Sequence, residues 1–213
     1  MRLSERPEGR VPPAALATAA RLVRGGGVVV YPSDTVYGLG GDARRPDVAA
    51  RCRSLKGRGA VPMLSLVDDW ARVAGWVDPV EHARCRAVAA VSGVTVLAAA
   101  TPGAPPHLVG AEGWIGVRLA QGVARELVAQ SGAPLLSTSA NPSGAPTPTR
   151  IADLAPALRR GADAVVDGGE LGGPPSTVVR PEADRLVLVR EGVVLADVLR
   201  ERLGLPVARR TPG

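Results

Sequence analysis

Short apolar runs rich in Val, Leu and Ala alternate along this chain with amphipathic stretches of helical spacing. Residues 13–24, PAALATAARLVR, repeat apolar positions at helical intervals and stop at Gly25-Gly26-Gly27, a glycine terminator. VVVYPS at 28–33 is an apolar, β-branched run, the pattern of a buried strand. The alternation continues with a helix at 47–55, a strand at 62–67, helices near 68–76 and 79–91, and a strand at 94–100. Beyond these come a strand at 114–120, a helix at 122–130, a strand at 134–140 and a helix near 150–160. Short strands at 164–167, 176–180 and 185–190 and a helix at 195–203 complete the prediction. DTVYGLGGDARRP (34–46) and TPGAPPHLVGAEG (101–113) read as loops, because Gly and Pro punctuate them. Strands interleaved with helices predict a single α/β domain with a mixed sheet. No linker, composition shift or repeat divides residues 1–213, so the core is expected at about 14–203, followed by a loose basic tail.

Composition adjusts this picture in a few places. The 213 residues are 46% hydrophobic but only 2% aromatic, with no Phe, so Val, Leu, Ala and Ile must build the core. The net charge of +6 and a pI near 10.5 suit an anionic partner such as a nucleotide or RNA. An arginine-rich solvated surface is the equally weighted alternative. Cys52 and Cys85 lie in helix-like stretches without close Cys or His neighbours, which argues against a disulfide framework or zinc site and for a reducing compartment. No apolar run approaches the ~20 residues of a membrane span. The start, MRLSERPEGR, lacks the apolar centre of a signal peptide, so a soluble cytoplasmic protein is expected. GxGxxG spacing and GxxxxGK[ST] are both absent, which excludes a dinucleotide fingerprint and a P-loop.

Candidate chemistry gathers at strand ends. Hydroxyls and an amide follow a strand in Ser137-Thr138-Ser139-Ala140-Asn141-Pro142-Ser143-Gly144, where they can meet a ligand or simply make a turn. Thr35 and Tyr37 sit in the Gly-rich loop after the first strand. Lys56, the one lysine of the chain, stands two residues before Arg58; alternate residues of an extended segment face one way, so both can address one anion. Two solvated charges at a helix end are the plainer reading. Arg118 lies inside the apolar run WIGVRLA and needs a partner, either a substrate carboxylate or a structural acid. Arg190 ends RLVLVR in the same manner, and Ser176-Thr177 opens a strand.

The order of these pieces resembles the threonylcarbamoyl-AMP synthase family, the YrdC-like domain. YPSDTVYGLGGDA is similar to that family's P-T-[DE]-T-V-Y-G-L-x-x-D-A loop, LKGR to its K-x-R element and STSANPSG to its S-x-N element. IGVRLA, PSTVV and LVREG resemble its later V-x-V-R, P-S-T-V and R-x-G elements, and the likeness runs from about residue 14 to 195. The resemblance implies a twisted open sheet with flanking helices and a concave basic face. It implies that L-threonine, bicarbonate and ATP become threonylcarbamoyl-adenylate and pyrophosphate, with Mg2+ carried by the ATP phosphates and no metal site of the protein's own. By the same resemblance Lys56, Arg58, Ser139, Asn141, Thr149 and Arg190 hold ATP, with Lys56 and Arg58 serving the chemistry. Thr35, Tyr37, Arg118 and Ser176 surround threonine. Implied partners are the tRNA threonylcarbamoyl-transfer proteins, with contact to tRNA or double-stranded RNA. The chain departs from the family pattern at Gly59 and Val61, in Ala90-Val91-Ser92-Gly93-Val94-Thr95, and in a shorter segment after Arg118. A non-catalytic RNA-binding module and a carbamoyl-adenylate-forming enzyme are the alternative readings.

Overall fold

Alternating side-chain direction along each strand, together with strand register, sets this architecture. The computed structural model describes residues 2–3, 11–57, 59 and 62–210. Its strands are β1 (Arg2–Leu3), β2 (Val29–Pro32), β3 (Tyr37–Asp42), β4 (Leu64–Val67), β5 (Val94–Ala99), β6 (Trp114–Leu119), β7 (Leu135–Ser139), β8 (Ala164–Val166), β9 (Thr177–Pro181), β10 (Leu186–Arg190) and β11 (Val207–Arg209). Its helices are α1 (Pro13–Arg24), α2 (Pro46–Lys56), α3 (Pro79–Ala89), α4 (Gly122–Ser131), α5 (Pro156–Gly161) and α6 (Ala196–Leu203). The strands form one mixed sheet in the order β1-β8-β2-β3-β7-β4-β6-β5-β9-β10-β11. This is the α/β class with flanking helices that the apolar pattern predicts.

The two sheet faces are covered unequally. On one face α1 and α4 pack against each other, and Leu16, Ala20, Val23 and Leu127 close over Val29, Tyr31, Leu66 and Leu135. On the other, α2 and α3 lie over the sheet, α2 also meeting α5, and the larger core of Val30, Tyr37, Leu39, Val96, Val117 and Leu136 is buried there. Leu66 also lines an open cavity, so the first face is covered near β2 and β8 and bare under β6, β5 and β9.

Four stretches differ from the sequence reading. Residues 37–42, expected as loop, form β3, which pairs antiparallel with both β2 and β7. Three glycines give this strand little intrinsic preference for extension, and close backbone approach fixes it instead. A Cβ at Gly40 would lie 1.6 Å from the Leu136 carbonyl oxygen, and one at Gly38 would lie 2.7 Å from the Tyr31 ring. The helix expected over 68–76 is a single 3-10 turn, Trp70–Val73, and that near 150–160 splits into Ile151–Asp153 and α5. Within the expected loose tail, β11 pairs parallel with β10. Residues 211–213 lie outside the described residues.

Candidate active site

Strand register carries the site residues to one place. On β6, Trp114, Gly116 and Arg118 share a face while Ile115 and Val117 enter the core. Arg118 stands opposite Leu66 of β4, and one step beyond the Val96–Val117 pair lies Thr95 of β5. Thr95 pairs with Val178, which pairs with Arg190. Arg118, Thr95, Val178 and Arg190 therefore form one row across four strands. On the far side Ser139 of β7 stands opposite Gly38. A cavity of about 560 Å³ opens over this surface. Thr35, Arg118, Ser139, Ser176 and Arg190 all line it, above an apolar floor that includes Leu64, Leu66 and Leu97.

Arg118 is buried, and its charge is answered from the β2–β3 loop. Nη2 donates to Asp34 Oδ2 at 2.7 Å and Nη1 to Thr35 Oγ1 at 3.2 Å. The structural acid considered as an alternative partner is thus present, yet Arg118 also faces the cavity. Its buried Nε has no hydrogen-bond partner. A guanidinium has five N–H donors in a fixed fork, so donor capacity remains for an anionic ligand. Across the row, Arg190 Nη2 donates to the Ser176 carbonyl at 2.8 Å and to its Oγ at 3.3 Å, and Thr95 Oγ1 donates to Ser176 Oγ at 2.9 Å. Hydroxyls and guanidinium groups converge here, the chemistry suited to carboxylate and phosphate oxygens.

Lys56 is buried, 4% exposed, against the turn that brings Ser139 to this cavity. It is the last residue of α2, and Gly57 adopts φ 59°, a left-handed helix terminus that a side chain would strain. The Lys56 amine donates to the carbonyl of Ser139, to that of Asn141 at 2.6 Å and to Asn141 Oδ1 at 3.4 Å. The Lys56 carbonyl accepts from Ser143 N at 2.9 Å. The lysine therefore ties the Ser139–Asn141 turn to the end of α2. Asn141 Nδ2 donates to the Ala145 carbonyl at 2.5 Å. Asn141 and Thr149 line a second cavity, of about 450 Å³, walled by Pro142, Pro146 and Pro148. Arg58 and Val61 lie outside the described residues.

Tyr37 belongs to the opposite face of the sheet. Its ring is in the larger core and its hydroxyl donates to the Gly169 carbonyl at 2.6 Å while accepting from Gly168 N at 3.1 Å. Tyr31 lies on the cavity's own face instead, donating to Ser137 Oγ at 2.6 Å, and burial pushes its hydroxyl pKa well above the ordinary tyrosine value. Burial likewise pushes the Cys52 and Cys85 thiols up to about 12, so neither is a ready nucleophile. Sequence reasoning gave no role to Asp34, Thr95 or Trp114. An unpaired Arg118 was the one signal that an acid had to be found. Among the described residues no helix is long and apolar enough to cross a membrane.

Comparison with known proteins identifies relatives of the chain and of its fold. A family model for Sua5, YciO and YrdC, described under telomere recombination, matches residues 21–192. A threonylcarbamoyl-AMP synthase of Stenotrophomonas maltophilia is 37% identical over 164 residues, 74% of this chain and 88% of that protein. The Bacillus subtilis threonylcarbamoyl-AMP synthase is 31% identical over 195 residues, 89% of this chain and 56% of that longer protein. The crystal structure of P. abyssi Sua5 complexed with L-threonine superposes with a TM-score of 0.84 at 25% identity, covering 97% of this chain and 62% of that one. E. coli YciO superposes with a TM-score of 0.77 at 26% identity, covering 89% and 95%. The expected family, and with it the twisted mixed-sheet fold, is borne out: the chain belongs to the Sua5/YciO/YrdC family.

Proposed function

We propose that this protein condenses L-threonine, bicarbonate and ATP into threonylcarbamoyl-AMP and pyrophosphate, the intermediate for threonylcarbamoyladenosine in tRNA. The observation that carries the reading is the Arg118 corner of the cavity, in a chain whose relatives are named threonylcarbamoyl-AMP synthase. There a buried guanidinium is fixed by Asp34 and Thr35 and has donor capacity left over.

In this reading Arg118 takes the threonine carboxylate, with the hydroxyls of Thr35 and Ser176 beside it. The threonine amine condenses with bicarbonate, losing water and giving a carbamate. A carbamate oxygen attacks the α-phosphorus of ATP as the bond to pyrophosphate breaks. Arg190 and Ser139 line the same cavity and stabilise phosphate oxygens, and Lys56 holds the turn that presents Ser139 and Asn141. Arg58 is the second basic residue assigned to the phosphates. Tyr37 is a positioning residue, tying β3 to residues 168–169. Magnesium arrives on the ATP phosphates; among the described residues no group of three or more His, Cys, Asp or Glu side chains could hold a metal ion. The threonine ammonium gives up its proton to solvent before it attacks; no general base stands out in this scheme, and alignment of the two bound reactants lowers the barrier. The product passes to the tRNA threonylcarbamoyl-transfer proteins, and the chain's +6 charge suits contact with tRNA.

Pyrophosphate release tests the reading. Release with ATP, magnesium and bicarbonate should depend on L-threonine and fall in Arg118→Met. Release that is indifferent to threonine, or no release with ATP bound, would overturn it.

A further inference from the structure

The scheme above gives no task to Tyr31, which is 0% exposed on the cavity's side of the sheet. A phenol buried there loses free energy to desolvation unless its hydroxyl finds a partner. Tyr31 finds one by reaching from β2 across β3 and donating to Ser137 Oγ of β7 at 2.6 Å. The intervening strand makes room for it. Gly38 pairs with Tyr31, and a Cβ at Gly38 would stand 2.8 Å from the Tyr31 hydroxyl oxygen. Burial pushes the phenol pKa far above the neutral range, so the hydroxyl stays protonated and serves as a donor, never as a base.

A serine hydroxyl has one hydrogen to give and two lone pairs to accept with. Tyr31 takes up one lone pair of Ser137 Oγ, and it is the partner this hydroxyl has among the described residues. The Ser137 hydrogen is therefore left to point elsewhere, and Ser137 lines the cavity. Register sets it between the two ends of the site. Leu64 pairs with Ser137 and Leu97 with Gly116, while the β4–β6 register, continued by one residue, puts Leu64 beside Gly116. Ser137, Leu64, Gly116 and Leu97 thus form one row across four strands, and all four line the cavity. The row that holds Arg118 lies two residues, about 7 Å, to one side, and Ser139 lies the same distance to the other. Ser137 is the polar side chain of an otherwise apolar middle row.

In the proposed reaction this middle is where the reactants join. The threonine carboxylate is at Arg118 and the phosphates are at Ser139, so the carbon that comes from bicarbonate lies between them. We infer that Tyr31 is a positioning residue that holds the Ser137 hydroxyl as a fixed donor to an oxygen of this carbonate group. The inference rests on the proposed reaction and assigns a place to its third reactant. When the amine nitrogen bonds to the bicarbonate carbon, negative charge gathers on the carbonate oxygens. One amine proton joins the bicarbonate hydroxyl, that C–O bond breaks and water leaves, and two oxygens stay on the carbon. Ser137 donates to one of those two, over a floor of Leu64 and Leu97 whose low dielectric strengthens the bond.

Steady-state pyrophosphate release in CO2-free buffer, with bicarbonate, threonine and ATP varied in turn, tests this on the whole chain. Ser137→Ala should lower kcat/KM for bicarbonate about tenfold or more. Tyr31→Phe leaves the serine hydroxyl free among three staggered positions and should lower the same quantity about threefold. Each change removes one oxygen atom and little volume. Because Tyr31 acts through Ser137, the double variant should match Ser137→Ala, and the threonine and ATP KM values should stay as in the wild type. Strictly additive losses, losses carried instead by the threonine or ATP KM, or wild-type bicarbonate dependence in either folded variant would overturn the inference and leave the synthase reading standing. Failure of the wild type to release pyrophosphate with threonine and bicarbonate present would overturn both.

Discussion

Replacing Arg118 by Met should reveal both what the guanidinium does for the fold and what it does for the ligand. Met fills most of the aliphatic volume, so packing changes little while the charge disappears. The Asp34 carboxylate then keeps only Ser92, whose hydroxyl donates at 3.5 Å. Breaking a fully buried ion pair costs about 3–5 kcal/mol. The Asp34 side chain is 18% exposed against 5% for Arg118, so partial hydration lowers that to about 2–3 kcal/mol, and the lost bond to Thr35 adds about 1 kcal/mol. For a chain of this length each kcal/mol shifts the midpoint by about 2–4 °C, so the total of about 3–4 kcal/mol should lower the melting temperature by about 6–16 °C. Asp34→Asn keeps an acceptor and should cost about 1–2 kcal/mol. Urea denaturation of both single variants and the double variant gives the coupling, expected to be about 1 kcal/mol or more. Strictly additive losses would refute the pairing argument. Pyrophosphate release by the folded Arg118→Met protein should show a threonine KM raised by about tenfold or more with the ATP KM little changed. An unchanged threonine KM would remove Arg118 from the threonine site.

Three further outcomes are expected. Gly40→Ala places a methyl 1.6 Å from the Leu136 carbonyl oxygen, so β3 and β7 must part; a stability loss of about 3 kcal/mol or more should appear in urea, and a loss under 1 kcal/mol would contradict the register. Lys56→Met leaves the carbonyls of Ser139 and Asn141 without their ammonium donor, which should weaken ATP affinity and speed hydrogen exchange across 139–145; wild-type exchange there would contradict the tether. Asp163 has its pKa lowered first by Arg51, whose Nη1 donates at 2.6 Å, and by the Val28 N–H. Because the folded carboxyl titrates below the unfolded one, its stabilisation is full above the ordinary aspartate range and is lost as pH falls through and below it. Asp163→Asn should therefore flatten the acid limb of a stability-against-pH curve, and an unaltered limb would contradict the assignment.

What the sequence disclosed depended on how local the determining physics is. Helix α1 was readable because its apolar spacing and its Gly25-Gly26-Gly27 stop are contained in fifteen residues. β3 was not, because glycine composition points to a loop and only Leu136 and Tyr31, far along or across the sheet, make the glycines necessary. β11 was hidden for a similar reason: three residues near a terminus gain strand character only from β10. In the site, Arg118 was conspicuous as a charge in an apolar run, but its partner Asp34 stands 84 residues away and no spacing rule links them. Lys56 stood out by being the single lysine, while its target, a pair of backbone carbonyls, carries no sequence signature. Thr35, Ser139, Ser176 and Arg190 were recognised through the order of motifs and do meet in one cavity. Tyr37 was recognised in the same way, yet strand alternation turns it into the core.

Isotope transfer tests the central claim most directly. The protein is incubated with ATP, magnesium, 13C-bicarbonate and L-threonine, and the adenylate is analysed by mass spectrometry without a tRNA acceptor. A single adduct of AMP containing both the threonine and one 13C atom, formed together with pyrophosphate, is the predicted result. AMP or ADP without that adduct, or an adenylate that incorporates label but no threonine, would contradict the account.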